Sequence, residues 1–214
     1  MSIRVIPSAA KDSCENLRLV FASKELNGFG PQLVVVPNKI EAKFDVPSML
    51  YEAVDEVQYD DCSDTTKALD KEHLAVFPTA DTYVSPKRKN ENYGSSAEIF
   101  VDGRPGHISL IKFDISCLKS RSIKSAILKL YAIDGSINGG TFHVSSTDDS
   151  AWTEGLVTYN DIPPISNNWF TEQLRKVRSN TWVELDITNA LVDAEGNGIG
   201  KFVTIIIDST SDNR

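Results

Sequence analysis

The 214-residue chain carries 22 basic and 30 acidic residues, a net charge of −8, and is 41% hydrophobic and 8% aromatic. The composition is ordinary for a globular protein. The acidic balance argues against a nucleic-acid partner, and no apolar run nears the ~20 residues that a membrane-spanning helix needs. The acidic excess is local, since residues 38–76 hold four basic residues against ten acidic ones while 1–37 and 77–214 are close to balance.

In chain order, the first 37 residues offer three strands, Ile3–Ile6, Leu17–Phe21 and Gln32–Val36. The start, Met1-Ser-Ile-Arg-Val-Ile-Pro7, has no charged leader followed by an apolar stretch, so no signal peptide is expected. Hairpins of this size bury no core alone and must pack on another part of a fold. Residues 38–76 differ in texture. Ser48 as a cap, with Leu50, Val54 and Val57 at helical spacing, predicts a helix of two to three turns. Residues 58–75 then lose any period and carry Asp60, Asp61, Asp64, Asp70 and Glu72, as in a solvated acidic connector rather than a cation site.

From Ala97 onward short β-branched and aromatic runs alternate with polar turns. The expected strands are Ala97–Val101, His107–Asp114, Ser125–Ile133, Thr141–Ser146, Thr181–Ile187 and Phe202–Asp208, with turns at Asp102-Gly-Arg-Pro-Gly106, Asp134-Gly135 and Asn138-Gly-Gly140. A single short helix is expected near Thr188–Ala194, stopped by Gly196. Many short strands and little helix predict an all-β fold, an antiparallel β-sandwich of jelly-roll type with one or two short helices.

The two ends of the chain fit together. Asn16-Leu-Arg-Leu-Val-Phe-Ala-Ser-Lys-Glu25 reads as the continuation of Asp208-Ser-Thr-Ser-Asp-Asn-Arg214, and Ile3–Ala9 resembles Thr204–Thr210. The organisation expected is therefore 1–37, the closing strands of a preceding or permuted repeat; 38–76, an acidic linker; and 77–214, a sandwich lacking its last strands.

Cys14, Cys62 and Cys117 cannot all pair, and no CxxC occurs, so a zinc ribbon or redox motif is unsupported. Unpaired structural thiols are expected; if one disulfide forms, spacing does not choose among its three pairings. His73, His107 and His143 lack zinc-ligand spacing. No Gly-x-Ser-x-Gly is present. Asp148, Asp149 and Glu154 sit in a polar loop without the framework of a paired acid and base. No enzyme is expected.

Residues 77–214 resemble the DNRLRE domain, carbohydrate-binding module family 96. The motifs that carry the resemblance are Ala80-Asp-Thr-Tyr-Val84, Asn92-Tyr-Gly-Ser-Ser96, Leu110-Ile-Lys-Phe-Asp-Ile115 and Ala126-Ile-Leu-Lys-Leu-Tyr131. They continue with Trp152-Thr-Glu-x₃-Thr-Tyr-Asn160 followed by Pro163, Trp182-Val-Glu-Leu-Asp-Ile-Thr188 and Ser209–Arg214. The family's closing motif stands upstream instead, as Phe21-Ala-Ser-Lys-Glu25 and Pro31-Gln-Leu-Val-Val35. Many members carry basic residues before the Leu-Lys-Phe-Asp motif, where this chain has Gly106-His-Ile-Ser109.

The resemblance implies a β-sandwich that binds polysaccharide without catalysis, acidic glycans such as alginate being favoured. It implies an extracellular or cell-surface setting in a tandem array, with neighbouring repeat copies as further partners. The alternative is a structural, self-assembling repeat of a wall, matrix or filament that binds no sugar.

Sugar binding needs an aromatic face, planar hydrogen-bonding groups and, for an acidic glycan, basic groups. The candidates are Lys112, Tyr93, Trp169, Tyr83 and Lys24. Lys112, between Ile111 and Phe113, points to the face opposite its apolar neighbours. Trp152 and Trp182 are expected in the core, and Trp169 in an exposed loop. Asp81, Asn92 and Asp114 are oxygen donors on the motifs and the candidate ligands of a structural calcium ion, although no dense Asp/Asn/Gly loop of known spacing holds them.

Overall fold

The computed structural model describes residues 18–37, 66–68, 73–102, 106–118, 123–135, 140–147, 151–164, 170–174, 176–191 and 201–209. The strands among them are β1 (Arg18–Ala22), β2 (Gln32–Pro37), β3 (Thr66–Ala68), β4 (Leu74–Val76), β5 (Pro78–Val84), β6 (Glu98–Asp102), β7 (Ile108–Asp114), β8 (Ile123–Asp134), β9 (Gly140–Thr147), β10 (Phe170–Leu174), β11 (Thr181–Asp186) and β12 (Phe202–Ser209). One helical turn, α1 (Thr188–Leu191), follows β11. The fold is an all-β antiparallel sandwich.

The sheet called A here is organised around β8. Ile127 pairs with Val34 of β2 on one edge and with Asp186 of β11 on the other. Higher on β8, Ala132 pairs with Phe21 of β1 and with Thr181 of β11. Hence β1 and β2 follow one another along the same edge of β8, like one long strand broken by the excursion of residues 23–31. Beyond them lie β6, paired with β1, and β4, paired with β2; β3 pairs with β4. Sheet B runs β10-β9-β12-β7-β5.

The main core fills the space between the sheets. Alternation on β8 sends Ala126, Leu128, Leu130 and Ala132 into it, with Val183 and Leu185 of β11 and Leu33 and Val35 of β2. Sheet B answers with Ile111, Phe113, Phe142, Val144, Ile205 and Ile207. Phe21 and Phe142 meet across the interior at 6.5 Å between ring centroids. A second, smaller core lies elsewhere: Ala80, Val84, Ile108, Leu110 and Ile206 pack with Trp152 and Val157. On β12, Ile206 and Ile205 therefore serve different cores, as strand alternation requires.

The expected strands from Ala97 onward are all present, with ends shifted by one or two residues. Strands β3, β4, β5 and β10 were not among those expected. β5 is an edge strand that opens on Pro78, where no ladder donor is needed. It is buried on both sides and includes Asp81 and Thr82, both 1% exposed, so its sequence shows no apolar alternation. The strand expected at Ile3–Ile6, the helix after Ser48, Cys14, Cys62 and Trp169 lie outside the described residues, as does the side chain of Cys117.

Candidate functional site

The two sheets present very different outer faces. On sheet B, the segment after β9 folds back over the strands. Trp152 is buried, and its indole Nε1 donates to Thr204 Oγ1 at 2.9 Å. Lys112 does point away from the main core, as its alternation demanded, but beneath this roof. Its ammonium donates to the Trp152 carbonyl at 2.6 Å and lies 4.5 Å from the centre of the indole ring.

The roof is anchored by Asn92, whose amide donates to the carbonyls of Glu154 (2.7 Å) and Val157 (2.8 Å) while its Oδ1 accepts from Gly94 N. Gly94 is required there by close approach, since a Cβ would stand 2.1 Å from the Glu154 carbonyl oxygen. These contacts explain why the Asn92-Tyr-Gly and Trp152-Thr-Glu motifs occur together: one seats the other.

Tyr83 and Tyr93, predicted separately, are brought together. Their rings stack at 4.3 Å, and Tyr83 meets Phe100 and His107 edge-on. The Tyr93 hydroxyl donates to Glu91 Oε2 at 2.7 Å. The faces of Tyr83 are thus largely used in packing.

On sheet A the residues of β8 that alternate away from the core include Lys129 and Tyr131. Tyr131 pairs in register with Trp182 of β11, ring centroids 5.4 Å apart and edge to face. Phe29, 41% exposed at the tip of the excursion between β1 and β2, packs on Tyr131 at 4.4 Å. Gly28, at φ 84°, turns the chain just before it. Phe29, Tyr131 and Trp182 make a row of three rings.

Beside the row, Lys129 stands between Gln32 and Glu184 in register, bonded to Glu184 at 3.0 Å and 5.7 Å from the Trp182 ring centre. A cleft of about 410 Å³ bordered by Lys176, Arg178, Trp182 and Glu184 lies on one side. Another, of about 330 Å³, is bordered by Lys24, Gly28, Gly30 and Gln32. Trp182, expected in the core, is half-buried in this outer row, because Val183 and Leu185 are the β11 residues that alternate inward. Phe29, Tyr131 and Trp182 were absent from the sequence-derived site. The signal was the Lys-x-Tyr of β8 opposite the Trp-x-Glu of β11, legible only once those strands are known to pair.

Lys24 lies at the base of the same excursion, in a group of charges. Its ammonium bonds Glu25 Oε1 at 2.5 Å and Glu154 Oε2 at 3.1 Å. The Asp81 backbone N–H donates to Glu154 Oε1, and the Lys24 backbone N–H donates to Asp81 Oδ2, each at 2.7 Å. Burial opposes the charge on Lys24, but the bonds to Glu25 and Glu154 outweigh it and raise its pKa. Glu25 is likewise resisted by burial yet held low by Lys24 and Ser23. Asp81 goes the other way. Desolvation dominates, and neighbouring Glu25 and Glu154 add to it against the Lys24 N–H, so its pKa is pushed up to about 7.

Of the residues predicted for calcium, Asn92 is engaged by the roof and Asp114 Oδ1 accepts from Ser116 N at 3.0 Å. Asp81 is grouped instead with Glu25 and Glu154.

Residues 73–214 match carbohydrate-binding module family 96. The chain belongs to that family. No curated protein matches the chain. Membership points to carbohydrate binding, and the family is in general non-catalytic. The family match starts at His73, whereas β1 and β2 lie upstream of it in sequence and within sheet A in space. No helix among the described residues is long and apolar enough to cross a membrane.

Proposed function

We propose that this module binds an acidic polysaccharide on the outer face of sheet A and performs no catalysis. The observation that carries the reading is the row Phe29–Tyr131–Trp182. Three neighbouring rings on a sheet face offer the apolar platform on which sugar C–H faces stack, and family membership supplies the ligand class. Acidic sugars are favoured because Lys129, Lys176 and Arg178 gather at the row, in a chain of net charge −8. Glu184 is their local counterweight, and a uronate carboxylate would compete with it for Lys129.

Polysaccharides of this kind lie outside cells, which supports an extracellular or surface setting. The test is affinity electrophoresis of the full chain against alginate, pectate and a neutral glucan. Retardation by an acidic glycan that Trp182→Ala or Tyr131→Ala abolishes, in variants that still melt cooperatively, is expected. Equal retardation of the variants would remove the site from this face.

A further inference from the structure

The carboxylates of Glu25, Asp81 and Glu154 come from three separate parts of the chain: the β1–β2 excursion, strand β5 and the roof over sheet B. One oxygen from each lies within 4.8 Å of the other two. Oxygens sharing one calcium ion, each bound at about 2.3–2.6 Å, are separated by no more than roughly 5 Å. The spacing therefore suits a single ion.

Proximity of acids alone proves nothing, because Lys24 already neutralises part of the group. The second observation is Asp81. It is 1% exposed, and its Oδ1 meets no hydrogen-bond donor among the described residues. A buried carboxylate oxygen without a donor is costly to the fold, a cost that either a proton or a cation would remove. The Lys24 ammonium reaches Glu25 and Glu154, whereas Asp81 receives only the Lys24 backbone N–H. With all three acids ionised, one lysine leaves the group two charges negative. That is the charge a divalent ion completes, and hard oxygen donors select calcium over softer metals.

We propose that Glu25, Asp81 and Glu154 form a site for a divalent cation of the calcium type, for which the Lys24 ammonium is the competing internal occupant. Lys24 borders the 330 Å³ cleft, which gives its side chain space to swing aside. Waters complete the coordination. Because Glu25 and Phe29 share one excursion, the ion would fasten the loop that brings Phe29 to the aromatic row. The site itself stands apart from whether that row binds sugar.

The experiment is calorimetric titration of the EDTA-treated full chain with calcium chloride, with magnesium chloride as control, alongside melts in EDTA or excess calcium. Calcium should bind and raise the melting temperature. Lys24→Met, which removes the competing ammonium, should bind calcium about tenfold tighter or more, the equivalent of ~1.4 kcal/mol. Asp81→Asn should lose the binding. If that variant fails to fold, Glu25→Gln, at the exposed side of the group, should still weaken binding severalfold. Absence of calcium binding in both the wild type and Lys24→Met would overturn the proposal and leave Lys24 as the permanent counterion. Unchanged binding in Asp81→Asn or Glu25→Gln would overturn the assignment of these ligands.

Discussion

Two lysine–tryptophan pairs occupy the outer faces of the two sheets, and the same chemistry has opposite uses in them. On sheet B, Lys112 lies 4.5 Å from the Trp152 ring centre, its ammonium fixed on the Trp152 carbonyl and the indole N–H fixed on Thr204. On sheet A, Lys129 lies 5.7 Å from the Trp182 ring centre and bonds the exposed Glu184. The first pair is closed by directional bonds and burial and holds a roof. The second is a looser, solvent-accessible pair beside two further rings. A cation near an aromatic ring is therefore no mark of a ligand site by itself; what separates the cases is whether the remaining donors and ring faces are already used.

The largest test of this contrast is Trp152→Ala against Trp182→Ala. Removing the buried indole deletes the centre of the second core and the N–H bond to Thr204, although the backbone carbonyl that holds the Lys112 ammonium remains. A loss of about 3–5 kcal/mol is expected, in line with other buried aromatic deletions. Trp182→Ala removes a half-buried ring and should cost about 1 kcal/mol or less. Chemical denaturation of both variants checks the pair, and equal losses would break the comparison.

The charge group at the corner joins the two faces, since Glu154 belongs to the roof and Lys24 and Glu25 to the excursion carrying Phe29. Asp81 gives it a pH dependence. Its folded pKa of about 7 exceeds its ordinary 3.8, so between those values the folded chain keeps a proton that the unfolded chain releases. Rising pH therefore favours unfolding, by up to ~1.4 kcal/mol per pH unit across that window. The contribution is fully present below about pH 4 and lost above about pH 7. In EDTA, melts of the wild type should fall across this range relative to Asp81→Asn; parallel curves would show that Asp81 is ionised throughout.

Gly94→Ala sharpens the roof side alone. A methyl 2.1 Å from the Glu154 carbonyl oxygen forces backbone apart, and about 1–3 kcal/mol of stability should go with it. Glycan retardation by the surviving folded fraction should persist, because nothing on the sheet A row changes. Lost binding in a folded variant would place the ligand at the roof.

How much of this was legible beforehand follows from the range of the signals. Strands with clean alternation, such as Ile127–Ile133, announce themselves because one buried face suffices to set the pattern. β5 does not, because both of its sides are covered and one covering is a distant loop. Lys112 was correctly directed away from its apolar neighbours, yet alternation cannot say whether that side meets water or a roof supplied forty residues later. Trp182 failed in the reverse sense: indole size argued for the core, while its register opposite Tyr131 put it outside. The Asp81–Glu154–Glu25 group was hidden for the same reason, its members being set by tertiary contacts among three motifs rather than by spacing.

The smallest expected effect decides most directly which lysine serves the ligand. Lys129→Ala removes one exposed ion pair, and stability should stay within about 0.5 kcal/mol of wild type. Lys112→Ala opens a gap beneath Trp152 and should cost more than that. If the sheet A row holds an acidic glycan, the ranking inverts for binding: Lys129→Ala weakens retardation by alginate or pectate and reduces its sensitivity to salt, because one charge contact is gone. Lys112→Ala, once folded, binds as the wild type does. Salt-dependent affinity electrophoresis of the two variants reads both quantities on one set of gels. A Lys129→Ala variant that binds normally beside a folded Lys112→Ala that does not would move the site to sheet B and require the roof to open.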